Sequence, residues 1–338
     1  MSSSVDKSSG TPFPITSQVT VYGGIAWAVI SLLFFLLFGI AAPGEESPFW
    51  YLVGTYVLEL IPFAVATFLC FRNWRSPSIA SGRNVWLGMG LGMACFFIAG
   101  LIFGWWELYW GLNPDVSPAD FFYLICYVFI GGGMILAILP RRLNLEVWQW
   151  LTVAVIAVLA IALAVWVLVA TPDAASSETA DVGTLPIATE QLALGAASPQ
   201  KEKGNLSTPA TTPGVEESKT NPAPGWVMSI DKALQPLSKP VNFFYIVGDV
   251  FLLIIASTLL LAFWGGRFAQ SWRMIAGATF CLYIADMWFK YADTVSLEYQ
   301  SGKLPEVFYV FSGVLFGIGA VLEYDVSSRS RRSTRKRA

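Results

Sequence analysis

Residues 150–170 read WLTVAVIAVLAIALAVWVLVA, with no charge, no glycine and Thr152 as almost the sole polar side chain. At ~1.5 Å per residue such a run makes a helix about as long as the ~30 Å hydrocarbon core of a bilayer. In lipid the backbone has no water to bond, so a single apolar segment must satisfy itself as a helix. Seven comparable stretches surround this one, which begins at 148: 21–42, 50–71, 84–106, 121–139, 242–263, 272–292 and 307–323. The chain therefore predicts an all-α polytopic integral membrane bundle of 8 transmembrane helices. A segment 1–20 precedes it, spans 1–5 fill 21–170, spans 6–8 fill 241–323, and a basic tail covers 324–338. No catalytic or DNA-binding segment stands before the first span or after the last. The lipid bilayer is thus the expected partner, and nucleic acid is not.

Arginine gives the orientation. All twelve arginines fall in alternate connections: Arg72, Arg75 and Arg83; Arg141 and Arg142; Arg267 and Arg273; then Arg329, Arg331, Arg332, Arg335 and Arg337. The other short loops carry acids, among them Glu45, Glu46, Glu107, Asp115, Asp120, Asp293, Glu298 and Glu306. Lys/Arg-rich loops stay in the cytoplasm, so both termini are expected inside, as an even span number requires. The tail RSRRSTRKRA anchors this topology, and it is also able to touch anionic lipid or a separate signalling protein. A homo-oligomer is compatible with the sequence. The membrane is a bacterial plasma (inner) membrane or an internal one. The N-terminus lacks a signal peptide's basic start and cleavage site, so span 1 is expected to start insertion.

Composition excludes several chemistries. The chain has no histidine, which removes His-ligated haem, His-built zinc sites, phospho-His relays and the Ser–His–Asp triad. Cys70, Cys95, Cys126 and Cys281 all lie within spans and read as small packing residues rather than disulfides. No cofactor, metal or catalytic set is expected. Residues 171–225 are rich in Ala, Ser, Thr, Pro and Glu and bury too little apolar surface to offset chain entropy. The stretch 171–240 is thus expected to be an extracytoplasmic disordered linker. Trp226, Val227, Ile230, Leu234 and Leu237 nonetheless recur at helical spacing, as in a short helix on the membrane surface or an irregular approach to span 6.

The sequence also repeats. A shift of 186 aligns 86–136 with 272–322 without a gap and makes eleven of 51 positions identical, among them Trp86/Trp272, Tyr123/Tyr309, Gly131/Gly317 and Gly133/Gly319. Glu107/Asp293 and Asp120/Glu306 keep their charge. Spans 2 and 6 continue the match at a shift of 194, through Phe49/Phe243, Tyr51/Tyr245, Val53/Val247 and Gly54/Gly248. Spans 2–4 and 6–8 therefore form a parallel 3-1-3 internal repeat, related by a pseudo-twofold along the membrane normal. Span 5 is then the lipid-facing connector and span 1 is peripheral. Tyrosine-ended aromatic groups open spans 2, 4, 6 and 8 and read as the ordinary interfacial belt. Gly88, Gly92, Gly100 and Gly104, with Gly131 to Gly133 and Gly317/Gly319, mark close helix approach.

Ionisable residues within spans carry the functional signal: Glu59 in span 2, Asp249 in span 6, and Asp286 with Lys290 in span 7. Each costs at least ~2.5 kcal/mol at the bilayer centre, so each is expected to face the interior or a partner. Asp249 and Asp286 fall about 10 Å below the outer surface at the helical rise, with Tyr127 level and Glu59 deeper. Asp249 and Asp286 are expected to face each other across the interior, sharing a proton, with Lys290 or Tyr127 in hydrogen-bond reach. Asp286 and Lys290, at i and i+4, are able to pair; Lys290 is also able to snorkel. The candidate ligand-binding set is Asp249, Asp286, Glu59, Lys290 and Tyr127, either as an outward-facing chamber or as structural polar glue.

Residues 113–129, NPDVSPADFFYLICYVF, resemble the P-S-x-A-D-x-x-Y-L-x-x-Y-P-L segment in membrane regions of bacterial diguanylate cyclases (GGDEF) and cyclic-di-GMP phosphodiesterases (EAL). Arg83-Asn84-Val85-Trp86 resembles the family's R-x-x-W, Tyr245 to Asp249 its Y-P-x-G-D, Ile284-Ala285-Asp286 its V-A-D, and Tyr299 to Gly302 its Y-x-x-G. The likeness covers about 83–322. Val128 and Ile246 stand where the family has proline after tyrosine, and only a short tail follows span 8. The resemblance implies a sensor-like input module without a catalytic output domain.

Three functional readings compete. The first is a membrane sensor-like or ligand-binding module, not an enzyme, that takes a small ligand or lipid from the outer side and acts through a partner protein. The second is a small-solute or proton-coupled transporter, which the repeat and buried carboxylates also fit. A transporter needs a polar route to the cytoplasm, and the inner halves of spans 6 and 8 offer only Ser257 and Thr258. The third, a retinal protein, rests on the Asp286-x-x-x-Lys290 spacing alone; the third-helix pattern of rhodopsins is absent.

Overall fold

The computed structural model describes residues 17–39, 47–112, 114–139, 145–170, 223–266, 268–295 and 301–335. They are helical, with no strand among them. The helices are α1 (Ser17–Phe38), α2 (Phe49–Arg75), α3 (Arg83–Trp110), α4 (Pro118–Ile138), α5 (Val147–Ala170), α6 (Gly225–Leu234), α7 (Ser238–Ala262), α8 (Ala269–Val295) and α9 (Val307–Arg335). Among the described residues seven stretches are long and apolar enough to cross a membrane: α1 to α5, the α6–α7 stretch and α9. This is compatible with a multi-pass membrane protein. α8 is as long, with 27 residues, but Arg273, Asp286 and Lys290 interrupt its apolar run.

Local chemistry sets the helix ends. Ser117 caps α4 with Pro118 at its first position and Asp120 reaching back to the Ser117 N–H, a complete capping box. α3 ends on Gly111 in the left-handed region, φ 64°, with its N–H returned to Glu107 O. Each device satisfies backbone groups that the helix itself leaves open.

α2 packs on α3 and α3 on α4; α7 packs on α8 and α8 on α9. The two triplets meet where α9 lies against α2 and α4 against α7. Phe63, Ala66, Met89, Met93, Ile130 and Leu252 fill the centre, each 1 % exposed or less. α5 lies against α7 and α8 through Ala160, Ala164 and Val167, and Tyr283 donates to Ala160 O at 2.8 Å. α1 lies on α9, with only Ser31 and Phe35 buried. Both keep most of their apolar surface exposed.

Several boundaries differ from the sequence reading. Residues 171–222, most of the expected linker, lie outside the described residues, but from Gly225 the remainder of 171–240 is helical. α6 places Val227 under Trp106 and Trp110, and Asp231 accepts from Trp106 Nε1 at 3.3 Å. α1 starts at Ser17, inside the segment 1–20, and α9 runs through much of the expected tail, to Arg335. The Asp325–Arg329 pair at i and i+4 supports this extension, and no Gly or Pro interrupts it.

Candidate functional site

The starts of α2, α4, α7 and α9 and the ends of α3 and α8 surround a cavity at one end of the bundle. Its empty volume is about 840 Å³, including the part open to solvent. That is the size range of small-molecule sites. Among its lining residues are Glu59, Tyr127, Asp286 and Lys290, four of the five expected from sequence.

Asp249 is placed differently. It is 1 % exposed and stands behind Tyr127 rather than on the cavity wall. Asp249 and Asp286 come together inside the bundle as expected, and the Tyr127 hydroxyl lies 2.7 Å from Asp249 Oδ1 and 2.7 Å from Asp286 Oδ2. A phenol carries one hydrogen. For both contacts to be hydrogen bonds, Tyr127 donates to one carboxylate and accepts from a carboxyl O–H of the other. Asp286 also accepts from Tyr309 at 2.7 Å, through Oδ1, while Asp249 Oδ2 is buried with no hydrogen-bond partner. Lys290 donates to Asn242 Oδ1 at 2.6 Å and holds its Nζ 4.6 Å from the centre of the Tyr245 ring.

The tyrosines at the helix starts overturn the plain belt reading. Aromatic side chains nearby do face outward: Phe49, Trp50, Phe121 and Phe243 are all more than half exposed. The tyrosines turn in. Tyr51 donates to Gly302 O, Tyr245 donates to Asp120 Oδ1 at 2.7 Å, and Tyr123 and Tyr309 line the cavity. A phenol gains by burying its ring only if its O–H finds an acceptor, and here acids and a carbonyl supply it.

Loop acids, which in sequence mark only the topology, complete the rim. Asp120 uses Oδ2 for the Ser117 cap, at 2.7 Å, and Oδ1 for Tyr245, so one carboxylate both starts α4 and ties it to α7. Glu306 accepts from Gly302 N at 2.7 Å and from Lys303 N at 3.1 Å, capping the turn that opens α9. Gly302 has φ +98°, and a Cβ there would stand 2.7 Å from Tyr51 Cε1, so glycine is required on both counts. Glu107 accepts from Tyr56 and from Ser301 N. The S-x-x-D spacing at Ser117–Asp120 was the available signal for this rim. Nothing in the sequence marked Glu107 as inward.

The cavity has a floor. Phe96 on its wall stacks on Phe63 with ring centres 3.9 Å apart, and beyond them Met93, Ile130 and Leu252 are packed without exposure. No group of three Cys, Asp or Glu side chains among the described residues is arranged to hold a metal. Set against protein-family models, curated proteins and solved structures, the chain finds no match.

Proposed function

We propose that this protein is a membrane-embedded ligand-binding module of the sensor kind. It takes a small ligand or lipid into the cavity from the extracytoplasmic side and passes the signal to a separate protein. The observation that carries the reading is the cavity, polar and aromatic on its walls and closed below by a close-packed core. A floor of Phe63, Met93, Ile130 and Leu252 offers no polar path onward, which favours one-sided binding over transport. The likeness to input regions of GGDEF and EAL proteins leads to the same class.

We count eight spans, with α8 as the eighth. α8 lies between α7 and α9, and Asp286 and Lys290 turn into the cavity rather than to lipid, which is how a charged span is tolerated. The 3-1-3 repeat draws support from paired contacts. A Cβ on Gly133 would meet Val85 O at 3.0 Å and Met89 N at 3.1 Å; one on Gly319 would meet Ile275 Cγ1 at 2.9 Å and Ser271 O at 3.2 Å. Ser271 and Ile275 are the residues a shift of 186 assigns to Val85 and Met89. A twofold also exchanges the α2–α9 contact with the α7–α4 contact, and both exist. Arg72, Arg75, Arg83 and Arg273 lie at the helix ends away from the cavity, and the positive-inside rule supports a mouth outside with both termini in the cytoplasm.

Directional accessibility tests the reading. In sealed right-side-out membranes, a Thr55→Cys thiol on the cavity wall is expected to react with a charged methanethiosulfonate reagent added outside and not with one confined inside. Reaction from both faces favours the transporter, and reaction from neither removes the open cavity.

A further inference from the structure

The lining names a ligand class. Five carboxyls border the cavity, those of Glu59, Asp115, Asp120, Asp286 and Glu306, against one lysine. Four have local partners. Asp120 and Glu306 hold backbone N–H groups, Asp286 holds two tyrosines, and Asp115 accepts from Ser238 at 3.3 Å. Glu59 alone makes no hydrogen bond or ion pair among the described residues, yet it faces the cavity. A carboxylate withdrawn from bulk water is costly without a cation or donor.

The wall that Glu59 shares is aromatic. Phe96 sets its ring 5.1 Å from that of Tyr123 and 5.8 Å from that of Tyr309, and all three line the cavity. Ring faces attract ammonium groups within about 6 Å, and aromatic cages are a recurrent way to bind them. This cavity already holds one tethered ammonium in that manner: Lys290 Nζ lies 4.6 Å from the Tyr245 ring centre and 5.4 Å from that of Phe289. An anionic ligand would instead meet the carboxyl excess.

We propose that the cavity binds an organic ammonium, its cationic head held by Glu59 among Phe96, Tyr123 and Tyr309. This rests on the binding-module reading and gives it a ligand chemistry. A free amine and a lipid headgroup both present that chemistry.

The test is thermal unfolding of the full chain in lipid-free detergent with four probes: choline, cadaverine, dimethylbutanol (the uncharged carbon isostere of choline) and acetate. A ligand that binds the folded state alone raises the midpoint with its concentration. Choline or cadaverine is expected to do so, and dimethylbutanol and acetate are not. If phosphatidylcholine micelles raise it where free amines and phosphatidylglycerol do not, the ammonium is a headgroup and the proposal stands. Glu59→Gln is expected to weaken amine binding at least tenfold, and Glu59→Asp to keep it within a few-fold. Equal effects of choline and dimethylbutanol, an effect of acetate alone, silence toward every probe, or a folded Glu59→Gln with unchanged affinity would each overturn it. The isostere comparison on the unaltered chain decides even if the variants do not fold. Binding of an uncharged or anionic probe would remove the ammonium assignment and leave the one-sided cavity to the Thr55→Cys measurement.

Discussion

Tyr309 on α9 donates its hydroxyl hydrogen to Oδ1 of Asp286 on α8 at 2.7 Å. A shift of 186 assigns Tyr123 and Gly100 to the same two places, and there the Tyr123 hydroxyl lies 3.7 Å from where a Gly100 Cβ would stand. Both α3–α4 and α8–α9 bring these positions together, but only the second pair carries a carboxyl. Leu60 occupies the space in the first, its Cδ2 2.4 Å from the same point. At this pair of positions the carboxyl stands on α8 alone, although α2 and α4 bring Glu59 and Asp120 to the same cavity.

Tyr127 is expected to be the most sensitive tyrosine. Tyr127→Phe removes the one hydroxyl between Asp249 and Asp286 and leaves two buried carboxyl oxygens facing a ring edge. Interhelical hydrogen bonds in bilayers contribute modestly, so the loss is expected to be about 1–2 kcal/mol. The midpoint of thermal unfolding in detergent measures it; no change would mean that the bridge is not formed.

Asp249 gives a contrasting pair of variants. Asp249→Asn brings its own N–H hydrogen to the position that a carboxyl O–H must otherwise fill, so it is expected to keep stability within about 1 kcal/mol of the parent. Asp249→Leu leaves the buried Tyr127 hydroxyl one partner short and is expected to cost about 1–3 kcal/mol. Because Asp249 stands behind Tyr127, Asn there is expected to disturb binding less than Glu59→Gln. An Asn variant that unfolds as readily as Leu refutes the hydrogen count.

Glycines on the helix faces divide by what a methyl would meet. Gly133→Ala and Gly319→Ala place a Cβ within 3.2 Å of backbone on the neighbouring helix, whereas Gly132→Ala meets nothing within 4 Å. Overpacking of this kind costs about 1–3 kcal/mol. Both face variants are expected to unfold at lower temperature by similar amounts, and Gly132→Ala to unfold like the parent. A large gap between Gly133→Ala and Gly319→Ala would count against a shared geometry.

The apolar runs announced the helices because length and hydrocarbon thickness leave few alternatives. Glu59, Asp286 and Lys290 were legible as cavity residues because a charge in a span must turn inward, and Tyr127 because it lies at their depth. Less legible was everything that depends on which way a side chain at a helix start rotates. Tyr245 sits beside Phe243 and Phe244, which face out, and Tyr309 beside Phe308, which packs on α1, and composition alone cannot tell these directions apart. What separates them is an acceptor on another helix, Asp120 for Tyr245 and Asp286 for Tyr309, and that pairing spans 125 residues in one case. Asp249 was read as a wall residue for the same reason: depth is a one-dimensional quantity, and it does not report that Tyr127 intervenes.

Topology is open to a direct check. With both termini inside, Ser207→Cys is expected to react with an impermeant maleimide in intact cells or spheroplasts. Labelling only after lysis would reverse the orientation and with it the side on which the cavity opens.

The Asp120 carboxylate is expected to have two separable roles. Ser117 Oγ accepts from Ala119 N at 3.2 Å, and Asp120 Oδ2 accepts from Ser117 N, so both belong to the cap of α4. Ser117→Ala is expected to cost about 1 kcal/mol through the cap alone. Tyr245→Phe breaks only the link to α7 and is expected to cost about 0.5–1.5 kcal/mol. Asp120→Ala removes both and is expected to cost about their sum. In double-mutant cycles Asp120 and Tyr245 are then coupled by about 1 kcal/mol, because each variant removes the same bond, while Ser117 and Tyr245, which share none, add independently. Thermal or denaturant unfolding of the single and double variants reads the cycle. Additivity between Asp120 and Tyr245 would show that the carboxylate serves the cap only and that α4 and α7 are held together by packing.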